Sequence, residues 1–328
     1  MTTALAFWTV AAGSGALRAE TLPASDGETP DGETPNGEAT VLLRTLASGV
    51  SRGTEALVFA GLVPRSQYET MRAPFMAGTF PFPVKYGYSA VAATQAKQRV
   101  FVLHPHQDRM VVPAAQCIAV PDAVPTPRAV LAANMETALN IVWDAAPLAG
   151  ERMLVVGAGV VGLLVAALLA QSPAARVTVA DPNPHREAIA RRFGCAFARP
   201  DAMPADQELI VHASGTEAGL RCALGAAAFE ARLIEASWFG ATAPSVPLGE
   251  AFHQRRLRLI SSQVGSVAGA MRGRRTHAER LALALDLLAD PAFDSLLEGP
   301  TRFEDMPARM PRILAPGGLC HVITYGTD

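Results

Sequence analysis

Apolar positions change their period along this chain. From Met153 to Val156 they run without interruption, end on two valines and stop at Gly157. A short continuous run of this kind predicts a strand buried on both faces. The stretch from Leu163 to Gln171 is long and rich in Ala and Leu, which predicts a helix. A second β-branched run, Arg176 to Ala180, ends at Asp181. The centre of the chain therefore reads as strand, glycine turn, helix, strand.

Before this centre the runs are shorter and β-branched. Ala4–Ala11, Ala39–Leu46, a run leading out of Val84–Val91, Arg99–Leu103, Met110–Val112 and Gln116–Val120 predict strands. Pro121 to Pro127 marks a boundary, and Arg128–Ala146 has apolar residues at helical spacing. After Asp181, Asn183 can cap a helix with Pro184 in its first turn, ending near Gly194. Strands follow at Glu208–Ala213, Arg232–Ala236 and Leu257–Ser262, with a helix at Glu217–Ala228 between the first two. Strands and helices that alternate with short connections predict a parallel, doubly wound sheet. Thr276 and Glu279 form a capping box that opens a helix to about Ala289, and Gly318–Tyr325 closes the chain as a strand. The expected parts are a β-rich domain over 1–125, a doubly wound domain over 126–270, and a helix with strands that return to the first domain over 271–328.

At 328 residues, half of them hydrophobic, the chain can fill two cores. A net charge of −2 with mixed signs argues against nucleic acid as a partner. The four cysteines, Cys117, Cys195, Cys222 and Cys320, lack zinc-site spacing and read as reduced residues of a cytoplasmic protein. The N-terminal apolar stretch is short and follows no Lys or Arg, so it reads as a first strand rather than a signal peptide, and no run has transmembrane length. No membrane partner is expected. The near-repeat from Asp26 to Glu38 is acidic and rich in Gly and Pro, and reads as a mobile surface loop. His104 and His106 lack a supporting cysteine and read as part of a polar loop.

Gly157-Ala158-Gly159-Val160-Val161-Gly162 has the context that a dinucleotide site needs: a strand before it, a helix after it, and an acid about twenty residues on. Gly157 permits a tight turn, Gly159 lets a pyrophosphate approach the backbone, and Gly162 lets helix and strand pack closely. Helix N-terminal N–H groups, with Val160 and Val161 in the first turn, then face the phosphates. Asp181 can accept from ribose hydroxyls and would repel a 2′-phosphate, so NAD is expected over NADP. Arg186, close by in sequence, works against that preference. Ser214 and Gly215 follow a strand C-terminus, where ligands bind in such sheets.

This order of parts resembles the medium-chain dehydrogenase/reductase superfamily, the alcohol-dehydrogenase-like enzymes. Besides the glycine motif, the resemblance rests on Glu208–Gly215 (ELIVHASG), Ala231–Gly240 (ARLIEASWFG) and Ser261–Gly265 (SSQVG). It implies an α/β fold with a Rossmann domain and a β-rich GroES-like domain, hydride transfer with a nicotinamide cofactor, and a homodimer. Zinc-binding members carry Cys, a Gly-His-Glu, and a third Cys or acid. Here Ser51, then Gly87-Tyr88-Ser89, then roughly Ala133 to Met135 stand there, with Glu136 just beyond as the one remaining candidate ligand. Ser and Tyr are poor zinc donors, so no zinc and no other metal is expected. Ser-x-Gly-Thr-Glu and Gly-Tyr most resemble the branch that contains bacteriochlorophyllide 3-hydroxyethyl dehydrogenase.

Without zinc a side chain must handle the proton. Tyr88 stands where the resemblance implies a ligand near the nicotinamide, and Lys85 would lower its phenol's pKa by approaching it. Ser51 and Thr54 can bond the substrate oxygen, and Glu55 can orient them or relay a proton. Thr137 matches a position near the nicotinamide in relatives. The expected activity is zinc-independent hydride transfer between a nicotinamide cofactor and a small-molecule substrate, a secondary alcohol or ketone. The alternatives are an NADPH-dependent quinone or enoyl C=C reductase and a non-catalytic dinucleotide-binding sensor.

Overall fold

The computed structural model describes residues 2–24 and 39–326; the acidic near-repeat from Asp26 to Glu38 lies outside them. The chain forms two compact units, one running to Ala133 and resuming at Leu281, the other spanning Asn134–Arg280.

The first unit is built on sheets. Thr3–Ala11 and Ser14–Thr21 form a hairpin, and Val84–Lys85 pairs with the first of these strands. The strand Thr40–Val50 organises the larger sheet. Its first half pairs with Arg109–Pro113. Its second half lies between Ala90–Ala93 on one side and Cys320–Thr324 on the other. The C-terminal strands thus complete the sheet that the N-terminal residues begin. Burial follows this placement: the first three residues are half-buried, burial alternates from Leu43 to Leu46, and every residue from Ala47 to Val50 is buried. Gly49 packs tightly in this stretch: a Cβ there would lie 3.0 Å from the Val130 side chain and carbonyl, which would have to give by a few tenths of an ångström.

A helix, Arg52–Phe59, follows at once. The sequence shows only a run of small and polar residues at this point. Glu55, in the first turn, reaches back to accept from the N-cap Ser51 N–H at 2.7 Å, satisfying a donor that the helix itself leaves unpaired. The Ser51 hydroxyl makes no capping bond.

The second unit contains the expected doubly wound sheet. Its six strands are parallel in the order Ala196–Ala198, Arg176–Ala180, Arg152–Val156, Gln207–His212, Ala227–Glu235, Arg258–Ser261. Met153 to Val156 are buried, as are Gly162 to Ala167 and Leu169 of the helix Val160–Leu169. Asn183 caps the Pro184–Arg186 turn through a bond from the His185 N–H, and the following helix, Glu187–Arg192, ends before Gly194. Thr276 and Glu279 exchange both bonds of the expected capping box. Among the described residues, no helix is long and apolar enough to cross a membrane.

Candidate active site

In the second unit the glycine loop has the conformation its sequence suggests. Gly157 has φ +108°, and a Cβ there would lie 2.7 Å from the Ser214 N. The chain after the next parallel strand thus passes too close for any side chain. A Cβ on Gly162 would lie 1.9 Å from the Gly157 carbonyl oxygen, which fixes the helix against the loop. Gly159 has open space where a Cβ would stand. Val160 and Val161 are half-buried in the first helical turn. This leaves an accessible backbone at a helix N-terminus, the geometry that receives a pyrophosphate.

Asp181 Oδ2 accepts from the Ala158 N–H at 2.7 Å, and Oδ1 accepts from the Asn183 N–H at 2.8 Å. The carboxylate therefore also holds the glycine loop, and each oxygen keeps a lone pair for a ribose hydroxyl. Arg186 is buried. Thr137 is half-buried on the helix Ala132–Ala145.

Ser214 belongs to a polar ladder that the motif alone did not reveal. His212 is fully buried; its Nδ1 lies 2.8 Å from Glu235 Oε2, and its Nε2 lies 2.6 Å from Ser214 Oγ. Gly215 N–H donates to Ser237 Oγ at 3.1 Å. The ladder ties together the C-terminal ends of neighbouring strands, where the candidate cofactor contacts Ser214 and Gly215 stand.

In the first unit, Tyr88 donates to Ser51 Oγ at 2.6 Å. Burial raises the Tyr88 phenol above its ordinary value; hydrogen bonds with Ser51 and Thr54 pull it down, and the Glu55 charge adds to the rise. This corrects the expected role of Lys85. Lys85 Nζ is held by Glu20 at 2.6 Å and Gln107 at 2.9 Å, so its charge is spent on a different part of the unit. The net effect at Tyr88 is a phenol held in its protonated form.

The His104–Gln107 stretch is a polar loop, and it is buried. His104, His106 and Gln107 are all buried, because their polar atoms find partners inside. His104 Nδ1 donates to the Pro105 carbonyl at 3.0 Å, and its ring lies against Phe75. His106 Nε2 lies 3.0 Å from Glu55 Oε2, and its Nδ1 lies 2.7 Å from Ser48 Oγ. Ser48 Oγ in turn lies 2.8 Å from Tyr325 Oη. Cys320 is buried beside this cluster, its thiol pushed up to about 12 by burial, with the Glu55 and Glu298 charges adding. His106, Ser48 and Tyr325 belong to the Glu55 site, although nothing local in the sequence connects them.

These residues do not fit a zinc ion. Ser51 and Tyr88 offer a hydroxyl and a protonated phenol, already bonded to each other. Glu136 is buried in the second unit and is ion-paired with Arg280 at 3.0 Å. Among the described residues, no group of three or more His, Cys, Asp and Glu side chains could hold a metal ion.

No family model matches the sequence. Solved structures of several dehydrogenases and reductases do match the fold. L-idonate 5-dehydrogenase from Escherichia coli has a TM-score of 0.77 at 12% identity, with 98% of each chain covered. Acetophenone reductase from Geotrichum candidum in complex with NAD has a TM-score of 0.74 at 15% identity, covering 98% of this chain and 97% of that one. 2R,3R-butanediol dehydrogenase from Bacillus subtilis has a TM-score of 0.75 at 13% identity, covering 98% and 99%. Identities this low establish architecture alone: the chain has the fold of these dehydrogenases, a Rossmann doubly wound sheet and a β-rich GroES-like part in one chain.

Proposed function

We propose that this chain is a nicotinamide-dependent oxidoreductase that acts on a secondary alcohol or ketone with Tyr88, not zinc, as its acid–base group. The observation that carries this reading is the Tyr88–Ser51 hydrogen bond at 2.6 Å, with a phenol held protonated by burial, at the positions where the resemblance implies metal ligands. The glycine loop from Gly157 to Gly162 and Asp181 would hold the dinucleotide, with Ser214, Gly215 and Thr137 as further candidate contacts. When bound, the nicotinamide supplies the hydride donor or acceptor. Asp181 favours NAD over NADP, because a 2′-phosphate would meet its negative charge.

The protein's own part is proton handling. A protonated Tyr88 suits the reductive direction: it can hydrogen-bond a carbonyl oxygen, polarise it, and give up its proton as the alcohol forms. Ser51 and Thr54 hold the phenol oxygen in place. In the oxidative direction Tyr88 must first lose its proton, which burial opposes.

The test is Tyr88→Phe, assayed by NADH oxidation against a panel of aryl and alkyl ketones, with NADH affinity measured by calorimetry. The expected loss in kcat is about 10²- to 10⁴-fold, the usual contribution of a positioned acid, with NADH affinity unchanged. Wild-type turnover in the variant would remove Tyr88 from the mechanism. One zinc per chain by mass spectrometry would remove the zinc-free reading, and tighter binding of NADPH than NADH would overturn the assignment of Asp181.

A further inference from the structure

Tyr325 lines a cleft in the first unit together with Arg44, Asp108, Arg109, Phe303 and Glu304, among others. The cleft has a volume of about 110 Å³, enough for several water molecules. Its lining is charged, and Arg44 Nη1 is a buried donor with no hydrogen-bond partner. Tyr325 is 8% exposed; it lines this cleft, and its hydroxyl bonds into the buried cluster around Glu55.

From that hydroxyl a chain of hydrogen bonds leads inward. Tyr325 Oη to Ser48 Oγ is 2.8 Å, Ser48 Oγ to His106 Nδ1 is 2.7 Å, and His106 Nε2 to Glu55 Oε2 is 3.0 Å. The other Glu55 oxygen is bound by the Ser51 N–H, and Ser51 Oγ is the acceptor for Tyr88. The partners also set the polarity. A carboxylate accepts only, so a neutral His106 ring carries its proton on Nε2 and leaves Nδ1 as an acceptor. Ser48 then donates to His106, and Tyr325 donates to Ser48. Every donor points from the cleft towards Glu55.

We propose that Tyr325, Ser48, His106 and Glu55 form a proton path that resupplies Tyr88 from the charged cleft. The inference rests on the reading of Tyr88 as the acid. In each reductive turnover the reduced nicotinamide supplies a hydride to the carbonyl carbon. The Tyr88 O–H bond breaks, and a new O–H bond forms on the product. Tyr88 phenolate then takes the Ser51 hydroxyl proton. Ser51 is restored from Glu55, whose carboxylate is held beside it by the Ser51 N–H, Glu55 from His106 Nε2, His106 at Nδ1 from Ser48, Ser48 from Tyr325, and Tyr325 from water in the cleft; His106 then returns to its Nε2–H tautomer and the two hydroxyls turn back before the next turnover. One proton enters for each proton delivered. Asp108, whose carboxyl pKa is raised mainly by burial, stands in the same cleft as a group that can hold a proton near the entrance. Ser48, His106, Glu55 and Tyr325 are then positioning and relay residues, since only Tyr88 and its hydroxyl neighbours would touch the substrate.

Tyr325→Phe cuts the path at its outer end and retains the ring that stacks on Phe303 at 4.6 Å; Ser48→Ala cuts it in the middle with a small change in volume. Each full-length variant would be followed by stopped-flow oxidation of NADH with an aryl ketone. In the first turnover the proton is already on Tyr88, so its amplitude and rate should match wild type. Steady-state turnover should fall about tenfold or more, with KM unchanged. A readout that needs no turnover is exchange of the His106 ring N–H with solvent, followed by NMR on ¹⁵N-histidine-labelled protein; it should slow about tenfold in both variants. Unchanged exchange in both variants overturns the path. Slowed exchange with unchanged steady-state turnover overturns it as the route that supplies Tyr88. A wild-type protein with no ketone turnover would refute the proposed activity instead, while the exchange measurement would still decide whether the path conducts.

Discussion

His104 gives a sharp prediction about stability. Its ring is 4% exposed, donates from Nδ1 to the Pro105 carbonyl, and packs against Phe75 with ring centres 5.0 Å apart. Burial lowers its pKa from 6.5 to about 4, with the Pro105 bond pulling it up and the nearby Lys85 and His106 charges adding to the drop. The native ring is thus neutral over a range where the unfolded ring is charged. Because the unfolded state then binds more protons, stability rises with pH. The contribution of His104 is complete above pH 6.5 and is lost as pH falls towards about 4. At about 1.4 kcal/mol per pH unit, the full loss is about 3 kcal/mol, of which about 2 kcal/mol is gone by pH 5.

His104→Phe removes the titration and keeps the aromatic contact. It also leaves the Pro105 carbonyl without its partner, a pH-independent cost of about 1 kcal/mol. The assay is urea unfolding of both proteins at pH values from 7.5 down to 4.5, read as the difference between their free energies at each pH. Wild type should be the more stable protein at pH 7.5, and the difference should shrink and then reverse as the pH falls. A difference that is flat across the range would show that His104 titrates alike in the folded and unfolded states, and would refute the burial argument.

Two further perturbations test the second unit. Gly162→Ala places a Cβ 1.9 Å from the Gly157 carbonyl, so the glycine loop must move. Overpacking of about 1–3 kcal/mol should exceed the gain in helix propensity of about 1 kcal/mol, lowering the thermal midpoint and weakening NADH binding in calorimetry; unchanged NADH affinity would refute the claim that this loop holds the dinucleotide. Arg280→Met leaves Glu136 buried without its ion-pair partner, a loss of about 3–5 kcal/mol. Most of it should return in the double variant with Glu136→Leu, as read by denaturant unfolding, and a double variant no more stable than Arg280→Met would show that the buried charge was not the cause.

What was legible in the sequence was local. The strand, glycine turn, helix and acid of the doubly wound sheet fall within Arg152–Asn183, so each piece constrains its neighbour. The capping signals at Asn183 and Thr276 are also local, and both form the bonds they suggest. Elements that depend on distant partners gave little signal. Ser14–Thr21 is an exposed outer strand with no regular apolar face. Leu297–Arg302 contains Gly299 and Pro300 and pairs as an edge strand with Cys320–Thr324. The helix Met306–Ile313 carries Pro307 and Pro311, and it buries Met306, Met310 and Ile313 against the first unit's core. The site shows the same division. Tyr88 and Ser51 could be named from short motifs, whereas His106 meets Glu55 across 51 residues of sequence and Tyr325 meets Ser48 across 277. Lys85 was misplaced for the same reason: proximity in sequence to Tyr88 said nothing about Glu20, 65 residues away.

The contacts of Glu55 bear on the proposed zinc-free reading, in which a proton and not a metal ion is the cation this unit uses. A buried carboxylate needs compensation, and Glu55 finds it in the Ser51 N–H and the His106 ring. Lys85 is committed to Glu20. A divalent ion placed at Ser51 and Tyr88 would have to break their mutual hydrogen bond and would gain only neutral oxygens, one of them on a phenol that burial keeps protonated. A proton asks for no such rearrangement, since a donor and an acceptor already face each other at each contact from Tyr325 to Glu55. In the proposed reading, Ser51 and Tyr88 at the positions where the resemblance implies metal ligands and His106 behind Glu55 are two parts of one arrangement. On that reading the first leaves the site without a Lewis acid, and the second would supply the proton handling that a reaction without one requires.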